Sequence, residues 1–127
     1  ISVRNGSSAT VNDITATGAS TDLQASYGIE VNGMSAISTL NAFNTKAVGE
    51  AGNAGVAAIV DGNGTTASFT NSVLDGESMN LGKSIELVGD GAAKVVNTRF
   101  EPNVVASADL TCLNTYYLSL ADADADC

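Results

Sequence analysis

Apolar and polar residues alternate with a period of two at Ile29-Glu30-Val31 and again at Ile85-Glu86-Leu87, the spacing of a strand that buries one face. Helical spacing is absent. The same phrase returns four times, as Ile1-Ser-Val3-Arg-Asn5-Gly6, Ile29-Glu-Val31-Asn-Gly33, Ala58-Ile-Val60-Asp-Gly62 and Ile85-Glu-Leu87-Val-Gly89, at steps of 28, 29 and 27 residues. That regularity is a solenoid period. A second β-rich segment follows each phrase: Thr10–Ile14, Thr39–Phe43, Phe69–Val73 and Val95–Phe100. The stretches from Thr17 to Ser26, Val48 to Asn53 and Asp75 to Gly82 are small or polar, and the pattern predicts longer loops there.

A unit of two or three short strands cannot bury its apolar stripe alone, so the units must stack, like strand on like strand, into a parallel coil. The expected fold is all-β: a single-stranded, right-handed parallel β-helix of about four coils over residues 1–103. Residues 104–127 then form a capping or docking tail. Asn12, Asn41, Asn71 and Asn97 recur once per coil at steps of 29, 30 and 26. An asparagine at one bend of every coil can hydrogen-bond to the next rung, forming a ladder, or can serve its own turn alone.

Phe69-Thr-Asn71-Ser-Val73 and Val96-Asn97-Thr-Arg-Phe100 resemble the recurrent valine, asparagine and aromatic rung of right-handed β-helix repeat proteins. That class is the pectate-lyase-like and autotransporter-passenger group of secreted bacterial proteins. The resemblance covers residues 1 to about 103. It implies the coil but not an activity, because the same coil carries lyases, hydrolases, adhesins and passive stalks.

Composition narrows the picture. Apolar residues make up 44% of the 127-residue chain and aromatics 5%, so the interior must be built from Ala, Val, Ile and Leu. Five Lys or Arg stand against fourteen Asp or Glu, for a net charge of −9. No basic stretch is present to neutralise phosphates, which argues against nucleic acid as a partner. The longest apolar run, near Gly55 to Val60, is far short of the roughly 20 residues of a membrane-spanning helix. No signal-like segment opens at Ile1, so any targeting segment is expected to have been removed or to lie outside this sequence. Cys112 and Cys127 flank a polar loop near the C-terminus. A disulfide is the natural reading, worth about 3 kcal/mol by loop closure, with two reduced thiols as the alternative. The bridge would imply an extracellular or cell-surface setting.

Candidate chemistry is sparse. Enzymes of the resembled class imply a carboxylate cluster beside a basic residue, or facing acids for glycoside hydrolysis. Arg4, Lys46, Lys83, Lys94 and Arg99 fall beside no obvious stacked carboxylate pair, and Asp61 and Asp90 sit in turns where aspartate is common. No cofactor is expected. Asp122, Asp124 and Asp126 alternate in a way that would suit a weak calcium site, although an EF-hand's Gly and distal Glu are missing. Thr15, Thr17, Thr65 and Thr66 do not repeat over four rungs and so predict no regular hydroxyl face. Tyr116 and Tyr117 can anchor the tail to the core or form a contact knob. The expected function is therefore non-enzymatic: an extracellular structural or adhesive module that associates end to end, up to a self-stacking filament, with carbohydrate as a further ligand class. The alternative is a fragment of a polysaccharide-degrading or carbohydrate-binding β-helix protein.

Overall fold

The computed structural model describes residues 1–21, 24–51, 54–62, 64–77, 82–101 and 109–117. The four repeated phrases become β1 (Ser2–Arg4), β4 (Ser26–Asn32), β7 (Gly55–Asp61) and β10 (Lys83–Val88). These pair in parallel, in that order, as the first sheet. Their register reproduces the sequence repeat: Val3, Val31, Val60 and Leu87 lie opposite one another, as do Ile29, Ala58 and Ile85. The chain is thus a parallel β-solenoid that advances three turns between β1 and β10.

The second sheet holds β2 (Ser8–Asn12), β5 (Thr39–Phe43), β8 (Thr66–Thr70), β11 (Ala92–Val96) and β13 (Leu110–Leu113). A third holds β3 (Thr15–Ser20), β6 (Lys46–Ala51), β9 (Val73–Asp75), β12 (Arg99–Glu101) and β14 (Tyr116–Tyr117). This third sheet occupies much of what the sequence pattern assigned to loops. Its first two strands were hidden because they read Thr-Ala-Thr-Gly-Ala-Ser and Lys-Ala-Val-Gly-Glu-Ala, with glycine where a strand pattern expects a large side chain. The glycines mark close approach rather than a break. A Cβ on Gly49 would lie 2.2 Å from the Val56 carbonyl oxygen, and one on Gly18 would lie 2.0 Å from that of Tyr27. The third and first sheets are therefore pinched together, backbone against backbone. The stack also continues past residue 103, since β13 and β14 pair in parallel with β11 and β12.

Inside, like positions form columns. Ala9, Leu40, Ala67, Ala93 and Leu110 make one column of the second sheet, and Val11, Ala42, Phe69, Val95 and Cys112 the next. The third sheet contributes Ala16, Ala47, Leu74, Phe100 and Tyr117. Phe69 and Phe100 are wholly buried, and their columns carry alanine in the second coil, at Ala42 and Ala47, so large and small residues share the narrow lumen.

Candidate functional site

The corner between the second and third sheets is built the same way in every coil. Asp13, Asn44, Asn71, Asn97 and Asn114 all have φ between 48° and 54°, the left-handed region in which short polar side chains are the non-glycine residues most easily accommodated. Each of the first four donates its backbone N–H to the next coil: Asp13 to Phe43, Asn44 to Thr70, Asn71 to Val96 and Asn97 to Leu113. Side-chain amides link Asn44 to Asp13 at 3.1 Å, Asn97 to Asn71 at 3.2 Å and Asn114 to Asn97 at 3.2 Å. Of the four asparagines expected to stack, Asn71 and Asn97 stand in this column. Asn12 and Asn41 do not, because they are strand residues, opposite Phe43 and opposite Thr10 and Ser68 respectively. Irregular coil lengths moved the first two rungs out of register with the sequence count.

A second, internal ladder accompanies the first. Thr45, Ser72, Thr98 and Thr115 follow the bend residues and are buried. The Thr45, Ser72 and Thr98 hydroxyls each donate to the carbonyl two residues earlier, at 3.1, 2.9 and 2.9 Å. The signal in the sequence is the dipeptide Asn-Thr or Asn-Ser, at 44–45, 71–72, 97–98 and 114–115.

The outer faces differ in chemistry. On the first sheet Arg4 pairs with Glu30 and Lys83 with Glu86. Partial burial, then the nearby carboxylates of Glu86 and Glu30, raises the pKa of Tyr27 above its ordinary value. The third sheet is charged as well. Asp75 and Glu101 are opposite each other on adjacent strands, Lys46 Nζ lies 3.4 Å from Asp75 Oδ2, and Arg99 Nη2 lies 2.9 Å from Glu101 Oε1. The Arg99–Glu101 contact is an ion pair with poor hydrogen-bond alignment, and Arg99 Nε is also buried without a hydrogen bond. This is a stacked carboxylate pair with two cations beside it, and it corrects the expectation that none exists. It was missed because Asp75 was assigned to a loop. Asp61 lies opposite Val88 in strand register, whereas Asp90 falls in the turn after it.

The second sheet is different. Facing outward on its first three strands are Ser8, Thr10 and Asn12, then Thr39, Asn41 and Phe43, then Thr66, Ser68 and Thr70, with no charged residue among them. A hydroxyl- and amide-rich face therefore exists after all. The sequence comparison overlooked it by aligning threonines from different sheets. On this face lies an open groove of about 280 Å³, to which Thr39, Asn41, Thr66, Ser68, Lys94 and Asp109 contribute polar groups while most of its exposed lining is apolar. Ser68 Oγ donates to Asn41 Oδ1 at 2.8 Å. Lys94 makes no ion pair among the described residues, unlike the other four cations. Phe43, 38% exposed, projects from the same face two residues beyond Asn41.

Cys112 is half-buried at the end of an internal column, whereas Cys127 lies outside the described residues, as do Asp122, Asp124 and Asp126. Tyr117 packs against the core cluster and Tyr116 lies opposite Arg99. Among the described residues no group of three or more acids or cysteines is placed to hold a metal ion, and no helix is long and apolar enough to cross a membrane. No family model, curated protein or solved structure matches the chain.

Proposed function

We propose that the chain is a structural or adhesive module of an extracellular protein, a rigid right-handed β-solenoid that displays the outer face of its second sheet to a partner. The observation that carries this reading is the partition of chemistry between faces. Four of the five cations are engaged with carboxylates on the first and third sheets, while the first three strands of the second offer an uncharged outer surface ordered by strand register. Right-handedness is supported by the strong general preference of parallel crossover connections for that hand. An extracellular setting is supported by Cys112 at the lumen's end, where a bridge to Cys127 would tie the tail to the last coil. End-to-end association of copies extends the same reading, because a parallel strand edge accepts another strand in register.

Adhesion is tested by adding the purified, non-reduced protein to bacterial and host cell surfaces and measuring retention. Retention that survives Glu86→Gln but falls with a Thr39→Lys/Thr66→Lys double substitution supports the reading. No retention on any surface overturns it. Electron microscopy of the same sample tests the filament: regular fibres support end-to-end association, and single particles at high concentration reject it.

A second reading, part of a polysaccharide-degrading enzyme, is favoured by one observation. Asp75 and Glu101 stand side by side on adjacent strands with Lys46 and Arg99 beside them, and a pair of neighbouring acids is what glycoside hydrolysis requires. Release of reducing sugar from polysaccharides, abolished in Asp75→Asn and Glu101→Gln, would establish it.

A further inference from the structure

We propose that the groove on the second sheet binds a neutral, unbranched polysaccharide, with a pyranose ring stacked on Phe43 and sugar hydroxyls bonded to Asn41, Ser68 and Lys94. The proposal rests on the adhesive reading and names the partner of that surface. Three features converge on a sugar. Sugar hydroxyls both donate and accept hydrogen bonds, and the groove supplies a donor-only ammonium at Lys94, a carboxylate at Asp109, and groups of mixed character at Asn41, Thr66 and Ser68. Register orders these groups: Thr39, Thr66 and Ala92 lie opposite one another in one row, and Asn41, Ser68, Lys94 and Thr111 in the next. At about 4.8 Å per strand the second row extends about 14 Å along the stack, longer than one sugar ring.

Phe43 adds an aromatic ring beside the groove's apolar lining. Its ring stands on an otherwise polar face, opposite Asn12 and Thr70, about two residues' rise from the groove. An exposed aromatic beside fixed polar groups matches the two-sided character of a pyranose, whose C–H face is apolar and whose rim is hydroxylated. Neutrality follows from charge. The chain carries −9 overall, and the groove itself balances Lys94 against Asp109, so nothing in it recruits a polyanion. The open, shallow form of the groove suits a chain that continues past it rather than a small closed ligand.

The test is calorimetric titration of the whole chain with cellohexaose, xylohexaose and mannohexaose, beside polygalacturonate as the acidic comparison. Binding to at least one neutral hexasaccharide is expected, weakened at least tenfold by Phe43→Ala and by Asn41→Ala, restored by Phe43→Trp, and unchanged in Glu86→Gln. Circular dichroism of each variant separates lost binding from lost fold. Absence of binding to all three neutral sugars, preference for polygalacturonate, or indifference to Phe43→Ala would overturn the proposal. Retention on cells that survives Phe43→Ala rejects the sugar partner while leaving adhesion standing. Sugar binding without cell retention rejects adhesion and keeps the site.

Discussion

At each bend between the second and third sheets the backbone must pass through the left-handed region, and a residue other than glycine is stable there only if its side chain repays the conformation. Asparagine does so by bonding to the rung on either side: Asn97 donates to Asn71 and accepts from Asn114. Two substitutions separate these contributions. Asn97→Gly loses the amide bonds but relaxes the backbone, whereas Asn97→Ala loses both, so alanine should be less stable than glycine by about 1 kcal/mol in urea unfolding. Equal stabilities would mean that the bend imposes no conformational demand. The buried hydroxyl next door is predicted to matter as much. Thr98 Oγ1 reaches the carbonyls of Val96 at 2.9 Å and Phe69 at 3.3 Å, and Thr98→Val should cost about 1 kcal/mol by the same measurement.

At the scale of strands, the first sheet could be read from the sequence almost position for position, because its buried residues are large and alternate with polar ones. The second was also visible, though its bend was placed one to three residues early in the first two coils. The first two strands of the third were not recognised, and the reason is physical: β3 and β6 set glycines against another backbone and turn only Ala16 and Ala47 into the lumen, where Leu74 and Phe100 stand in later coils. Such a strand lacks the hydrophobic alternation on which strand recognition rests. The same contact makes a sharp prediction. Gly49→Ala, a substitution that usually stabilises where space and φ allow, should here destabilise by about 3 kcal/mol, because the new methyl meets the Val56 backbone. A neutral or stabilising result in thermal melts would show that the two sheets are not in contact at this point. The candidate surface was hidden for a related reason. Thr39, Asn41, Thr66 and Ser68 are unremarkable in sequence and become a face only once register sets them side by side.

For the molecule as a whole, two linked tests address its solution behaviour. Burial and neighbouring carboxylates raise the Tyr27 pKa in the folded chain, so the unfolded chain loses this proton first as pH rises. Stability is therefore retained below the ordinary tyrosine range near pH 10 and declines as pH climbs through the folded-state pKa. Urea titrations between pH 9 and 11 should show that decline, and Tyr27→Phe should reduce it. Intact mass before and after reduction and alkylation tests the Cys112–Cys127 bridge: two alkyl groups added only after reduction support it, and labelling of the native protein rejects it. If the bridge forms, reducing it should lower stability by about 3 kcal/mol. The uneven distribution of charge over the three sides has a further consequence for encounters. A body carrying −9 that nears another anionic surface feels a torque as well as a repulsion. Within roughly a Debye length, about 8 Å at physiological ionic strength, the side that holds the first three strands of the second sheet, whose outward residues carry no charge, is repelled least and turns toward that surface. Raising the salt should then erase this orientational bias before it alters any short-range contact.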